Sequence, residues 1–183
     1  NELVASYPDE DLLPTAISLR AIDQAYSVSY EAARDGRKRF RCIDNRLVLY
    51  GDAADRASYS GLLRRWFLAR ASDVLKPWLM TESERTGLTP KSVSVRLQKT
   101  RWGSCSSKGG INLNAALLLV EPELVRYLLV HELCHLEHMS HSRRYWKTVA
   151  RFDPDYRSHD RRLGANWSGL PAWLYAITNG AFQ

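Results

Sequence analysis

The sequence of this 183-residue chain predicts an α+β fold. Two stretches near its start, within residues 16–31 and at 39–51, alternate apolar and polar residues as half-buried strands do. From Asp55 the apolar residues recur every three or four positions, which is typical of an amphipathic helix. Two further alternating stretches, at 93–98 and 111–117, come before a second and mostly apolar helix.

The local signals within these segments predict where each element turns or ends. Asp44 and Asn45 are turn formers that divide the second alternating stretch into two strands. Pro77 should end or kink the first helix, leaving a shorter helical piece to about Arg85. The second helix should begin at Pro122, where proline is tolerated, and run to about residue 138. The predicted architecture combines an N-terminal antiparallel β-sheet, a β-hairpin and this second helix.

The length favours one domain. Residues 1–15 are polar, contain two prolines and are predicted to form an N-terminal arm. Residues 16–183 are predicted to form a single domain. Within it we expect a small β-sheet lobe at 16–54, a helical segment at 55–90 and a third lobe at 91–183.

Composition excludes several classes of protein. The three cysteines are widely spaced and form no CxxC pair, which argues against a disulfide framework and a four-cysteine zinc site. This usage predicts a reducing compartment, the cytoplasm. The longest apolar run, AALLLV, is too short to span a bilayer, so no membrane association is expected. The net charge of +6 permits an acidic partner such as nucleic acid. No feature of the sequence indicates an oligomeric state.

The stretch HELCHLEHMSH, at residues 131–141, holds four of the five histidines. On a helix, residues four apart lie about 40° apart around the axis and about 6 Å along it. His131 and His135 can therefore both reach one ion at the usual zinc–nitrogen distance of about 2.0 Å. Glu132 points in a different direction and can face a water that the metal activates. This arrangement gives two metal ligands and one general base.

A third ligand must come from outside the straight helix. His138 lies about 10.5 Å along the axis from His131, too far for convergence on one ion. His141 can converge if the chain turns after Met139, and Ser142 can cap a new helix there. The metal ligands are therefore predicted to be His131, His135 and His141, with a fourth position left for water.

Alternatives to His141 remain open at this point. His159, Asp160 or a carboxylate further along the chain could supply the third ligand instead. A purely structural zinc site is disfavoured, because a closed site needs a fourth ligand and has no use for Glu132 as a base.

Two blocks of sequence carry a resemblance to a known family. The blocks are RWGSCSSKGGINLN, at 101–114, and HELCHLEHMSHS followed by a Tyr-Trp pair. Together they resemble the YgjP-like metallopeptidase family, and more distantly the SprT-like group, over about residues 20–170. The pair Tyr145-Trp146 stands where Phe-Trp is more usual.

The resemblance implies a zincin-like metallopeptidase fold with one zinc ion per chain and a protein or peptide substrate. The metal-binding motif of the family maps onto His131, His135 and His141, and its catalytic glutamate maps onto Glu132. Nickel or cobalt would also suit a three-histidine site.

Other residues are candidates for contacts with substrate. Tyr145, Arg101 and His138 could each donate a hydrogen bond to the oxyanion of the tetrahedral intermediate. In the RWGSC block, we expect Gly103 to supply a positive φ and its neighbours Trp102 and Cys105 to pack in the interior.

The strand at 111–117 offers another way to bind a peptide. Ile111 and Leu113 should face the core, whereas Asn112 and Asn114 should face outward. If this strand is an edge beside the cleft, an extended peptide could add to it through main-chain hydrogen bonds. An ordinary paired strand is the alternative.

A nucleic-acid-associated protein is the second functional hypothesis, either as a protease acting on nucleic-acid-bound proteins or as a non-catalytic zinc-containing module. Arg143, Lys147 and Arg151 are spaced to form one stripe on a helix. Weak and non-specific binding is the expectation for this stripe.

Overall fold

The structure, a computed structural model, describes residues 12–179 and confirms the α+β class. Residues 1–11 of the predicted arm lie outside the described part. Within it, two small sheets and five α-helices share one continuous cluster of buried apolar side chains.

The first sheet is mixed. Its strands are β1 (Ala16–Leu19), β2 (Gln24–Ala32), β3 (Arg39–Ile43) and β4 (Arg46–Gly51), in the order β1-β2-β4-β3. The prediction of a purely antiparallel sheet is wrong, because β2 and β4 pair in parallel. Alternating burial fixes the face of each side chain but not the direction of pairing, so the sequence pattern could not reveal this.

The hairpin between β3 and β4 turns where the sequence predicts. Asp44 and Asn45 both have positive φ, at 46° and 60°. Two successive left-handed residues are what a type I′ hairpin turn requires, and Asp and Asn adopt that conformation more readily than most residues do.

The first helix, α1 (Arg56–Thr86), is continuous, so of the two outcomes expected at Pro77, an end or a kink, the end is excluded. The side chain of Asp55 accepts a hydrogen bond from the Ala57 N–H and caps its start. Proline removes one helical hydrogen bond. Leu75 and Leu79 on either side are fully buried, and this packing holds the helix together through the interruption.

The second sheet supports the candidate site. It contains β5 (Ser92–Arg96), β6 (Gly103–Cys105) and β7 (Gly110–Asn114), in the order β5-β7-β6. β5 and β7 are parallel, whereas β6 and β7 form an antiparallel hairpin. The short strand β6 was not foreseen from the sequence, since three residues are too few to show a period.

Four further helices complete the described chain. They are α2 (Pro122–Cys134), α3 (Arg143–Phe152), α4 (Tyr156–Asn166) and α5 (Ala172–Asn179). α2 packs against α1, α3 and α4, and its apolar residues lie in the core. Within residues 12–179 no helix combines the length and the apolar character that a bilayer crossing would need.

Asn114 is a buried anchor, and the prediction that it faces outward is wrong. Its amide nitrogen donates to the carbonyls of Gln98 and Arg101, at 3.0 and 2.9 Å. Its oxygen accepts from the N–H of Ala116 at 3.1 Å. These bonds fix the loop that leads into β6, which lies beside the candidate site.

We therefore predict that Asn114→Ala lowers the free energy of unfolding by about 2–4 kcal/mol, because several buried backbone groups lose their partners. Denaturant titration measures the change. Asn112→Ala is the matched control, because Asn112 is half-buried and bonds to Ser94. Equal losses in the two variants would contradict the anchoring role.

Candidate functional site

The three histidines predicted as ligands lie together in the structure. α2 ends at Cys134, about four residues earlier than expected, and the chain then turns back towards the helix. One ring nitrogen from each of His131, His135 and His141 lies within 4.8 Å of the other two. The Nε2 atoms of His131 and His141 are 3.3 Å apart. Two nitrogens that share a tetrahedral zinc ion are separated by about 3.3 Å, so this spacing suits zinc.

The second ring nitrogen of His135 is held by the backbone. Its Nδ1 lies 3.0 Å from the carbonyl oxygen of His138, which can only accept a hydrogen bond. Nδ1 of His135 therefore carries the proton, and Nε2 keeps a free lone pair for a ligand bond. The early end of α2 makes this contact possible, because it brings the His138 carbonyl back to the ring.

His131 is oriented by a relay of two side chains. The Tyr127 hydroxyl donates to Oδ1 of Asp160 at 2.8 Å. Because its only proton is used there, this hydroxyl accepts from Nδ1 of His131, which is 3.3 Å away. The relay leaves Nε2 of His131 free for a ligand bond, as in the carboxylate–histidine pairs that support metal ligands.

The two alternatives to His141 lie outside the cluster. His159 is bound through Nδ1 to Asp153 at 2.8 Å. Asp160 reaches His131 only through Tyr127. Among residues 12–179, these two side chains do not belong to the group of potential ligand atoms that includes His141.

Glu132 lies beside this cluster on the buried side. It is 4% exposed, and its Oε2 atom has no hydrogen-bond partner among the described residues. A buried carboxylate oxygen without a partner is costly, and a water molecule next to it would offset that cost. The position of Glu132 therefore fits the role of a base that holds a water.

Gly103 on β6 explains how Glu132 fits. A Cβ atom built at this glycine would lie 2.6 Å from Oε1 of Glu132, which is closer than atoms can approach. The expectation that Gly103 supplies a positive φ is wrong. Glycine at this position instead makes room for the glutamate, and Trp102 before it packs edge-on against Trp167.

Burial controls the protonation of the cluster. It lowers the pKa of His131 to about 3, with His135 and His141 contributing, and it also lowers the pKa of His135. Both rings are therefore neutral and able to bind a metal at neutral pH. Burial raises the pKa of Glu132 to about 8, although Arg101 lowers it. The neutral histidine nitrogens therefore fit a metal ion. A cation bound there would lower the pKa of Glu132 and favour its ionised form.

Tyr145 contacts the clustered histidines His131 and His135. It is fully buried, its hydroxyl donates to the His131 carbonyl at 3.1 Å, and its ring stacks on His135 at 4.5 Å. These contacts engage the Tyr145 hydroxyl with the His131 carbonyl and place its ring against His135. Arg101 is exposed and acts electrostatically on Glu132, which keeps it available to a substrate.

The strand at 111–117 does not form an edge. β7, which overlaps it at 111–114, has β5 on one side and β6 on the other, so the ordinary paired strand was the right alternative. Ile111 and Leu113 face the core as predicted. Asn112 is half-buried and accepts a hydrogen bond from Ser94. Among the described strands, β6 is the edge that lies beside Glu132.

The sequence reasoning missed the relay residues Tyr127 and Asp160. Tyr127 precedes His131 by four positions, so it lies on the same helical face and could have been found. Asp160 stands on α4, and only the packing of α4 against α2 brings it there.

Known proteins share similarity with this chain. Residues 5–166 match the family model described as YgjP-like, metallopeptidase domain. A search of curated proteins finds no match. Among solved structures, the metallopeptidase zymogen of Pyrococcus abyssi abylysin is 27% identical, with a TM-score of 0.46. That alignment covers 51% of this chain and 94% of that chain.

If the relay orients His131, then Tyr127→Phe should weaken zinc binding about 10- to 100-fold, because Nδ1 of His131 loses its acceptor. Competition with a chromophoric chelator measures this affinity. Tyr156→Phe is the control, since the Tyr156 hydroxyl accepts a hydrogen bond from Arg157 at 3.1 Å and lies outside the relay. Zinc binding by Tyr127→Phe that equals the wild type would exclude the relay.

Proposed function

This chain belongs to the YgjP-like metallopeptidase family, and from that membership we propose that it is a zinc-dependent peptidase with Glu132 as its general base. The observation that carries the proposal is the convergence of three histidine nitrogens within 4.8 Å, next to a buried glutamate with one oxygen that has no partner in the described part of the chain.

The donor set favours zinc over other divalent ions. Three neutral imidazoles without a carboxylate ligand suit zinc, which accepts nitrogen donors in a tetrahedral arrangement. We propose that His131, His135 and His141 hold one ion per chain. When bound, zinc would polarise the scissile carbonyl and lower the pKa of a water molecule towards about 7.

Glu132 provides the proton transfer. Its Oε2 can accept the proton of the attacking water, since no described residue donates a hydrogen bond to that buried atom. The raised pKa of this buried carboxyl makes it able to hold the proton until the leaving amine takes it. Arg101 is the candidate donor to the oxyanion, because it is exposed beside the glutamate.

An extended peptide substrate would pair with β6. This strand is an edge of its sheet in the described chain, and its residue Gly103 lies against Glu132. Main-chain hydrogen bonds to such an edge bind peptides with little dependence on their sequence. They would place the peptide backbone beside the general base.

Nucleic-acid binding stays a prediction. Arg143, Lys147 and Arg151 are all exposed and lie on α3, as the proposed stripe requires. Exposed basic side chains on one helix face are also what an ordinary solvated surface presents. We therefore rank this function below peptide hydrolysis.

The base is tested with Glu132→Gln, which preserves the size of the side chain and cannot take up a proton. We expect this variant to retain zinc and to lose hydrolysis about 10²–10⁴-fold. Cleavage of a panel of unfolded proteins measures the rate, and metal analysis measures the zinc. A variant that cleaves as fast as the wild type, with zinc in place, would remove Glu132 from the mechanism.

The ligand set is tested with a pair of histidine variants. His141→Ala should lose most zinc affinity, because it removes one of the three converging nitrogens. His138→Ala should retain it, because His138 contributes its backbone carbonyl and alanine keeps that atom. Chelator competition provides the measurement. The opposite result, with zinc lost only from His138→Ala, would reverse the assignment.

A further inference from the structure

A cavity of about 550 Å³ opens between α3 and α4, beside the histidine cluster. Its wall combines cationic and aromatic side chains with one carboxylate. The lining residues are Arg143, Trp146, Tyr156, Arg157, Asp160 and Arg161. The proposed chemistry uses none of the three arginines, so we call this cavity the arginine pocket and consider what it would bind.

The charge of the arginine pocket is unbalanced. Three guanidinium groups line it, whereas Asp160 is the single carboxylate and already accepts a hydrogen bond from Tyr127. None of the salt bridges found among residues 12–179 engages Arg143, Arg157 or Arg161. Arginine stays charged at any physiological pH, so an anion in the cavity would relieve the repulsion between these groups.

The aromatic residues connect the arginine pocket to the candidate active site. The rings of Trp146 and Tyr156 are stacked at 5.2 Å and form an apolar surface in the pocket. Trp146 also stacks on His141, with the ring centres 5.5 Å apart. The cavity is therefore one aromatic ring away from a proposed zinc ligand. A group bound there would be close enough to the histidine cluster to form part of the same peptide.

We propose that the arginine pocket is a substrate subsite for a carboxylate of the peptide, so that the enzyme prefers substrates with a negative charge near the scissile bond. This inference rests on the proposed peptidase function. Carboxylates match the fork of a guanidinium group, and the methylene groups of a glutamate side chain can pack on Trp146. The carboxylate comes from an acidic side chain or from the C-terminus of the substrate.

A nucleic-acid phosphate is a weaker match for this cavity. A phosphate backbone needs cationic side chains repeated along an extended groove. Here the three arginines surround one cavity, and the wall includes the carboxylate of Asp160. The carboxylate of Asp160 repels a singly charged carboxylate less than it repels a chain of phosphates.

Binding and cleavage are measured separately. The probes are N-acetylated decapeptide amides of one alanine- and serine-based sequence, with Glu, Gln or Lys at a central position. A fourth peptide has the central Gln and a free C-terminal carboxylate. Calorimetry on zinc-loaded Glu132→Gln gives the affinities without turnover, and wild-type protein gives the cleavage rates on the same peptides.

The chain offers matched controls for the pocket residues. Arg144 adjoins Arg143 without lining the pocket, and Arg162 adjoins Arg161 but pairs with Glu123 at 2.8 Å. We expect the Glu peptide to bind about two- to fivefold more tightly than the Gln peptide, as one exposed charge pair allows. Arg143→Ala and Arg161→Ala should each reduce this preference. Arg144→Ala and Arg162→Ala should leave it intact.

The outcomes distinguish the subsite from the peptidase function. Equal affinities for the Glu and Gln peptides would overturn the proposed subsite, even if the wild type cleaves both. A preference for the Glu peptide that all four arginine variants retain would overturn it as well.

A preference for the Glu peptide that depends on Arg143 and Arg161 supports the carboxylate site. If the wild type then cleaves none of the peptides, the same result counts against the peptidase function. Preference for the free C-terminus alone assigns the pocket to a terminal carboxylate. A single-stranded DNA oligomer that binds through the same two arginines, while the Glu peptide does not, replaces the proposal with a nucleic-acid site.

Discussion

The candidate site depends on the burial of polar side chains at the end of an apolar helix. Most residues of α2 lie in the core, yet Glu132 and His135 are buried with them. Each unpaired polar group in such a place costs about 1–3 kcal/mol, so the surrounding structure has to supply partners. The turn after Cys134 supplies the His138 carbonyl to His135, and α4 supplies the carboxylate that ends the relay from His131. Among residues 12–179, Oε2 of Glu132 is left without a partner, and that is the atom through which we expect the base to act.

The parts of the structure that the sequence predicted are those controlled by local geometry. The turn at Asp44-Asn45 and the cap at Ser142 depend on a few neighbouring residues, and both are present. The return of His141 towards His131 was predicted from two local arguments, with His159 and Asp160 left as alternatives. No straight helix brings His141 back, and Ser142 can cap a new helix after a turn. The exact end of α2 did not follow, because the contact between His135 and the His138 carbonyl favours an earlier turn than sequence signals indicate.

The parts that escaped prediction depend on packing between distant segments. The packing of distant segments sets the parallel pairing of β2 with β4 and the edge position of β6. The alternation of apolar and polar residues predicts a strand, but neither its direction nor its neighbours. The role of Gly103 was wrongly predicted for the same reason. Glycine suggested a backbone conformation, whereas the actual constraint is the carboxylate of Glu132 approaching from another element. Asp160 lies 33 positions after Tyr127, and only the fold brings them together.

α4 links the support of the histidines to the arginine pocket. Asp160 ends the relay that orients His131, and it also forms part of the pocket wall. A substitution at Asp160 would therefore change both the histidine orientation and the charge of the pocket, so its effect could not be attributed to either one. Arg161, the next residue, lines the pocket without a hydrogen bond to the relay, whereas Tyr127 belongs to the relay without lining the pocket. These two positions therefore separate the role that we propose for the relay, in metal affinity, from the role that we propose for the pocket, in the choice of substrate.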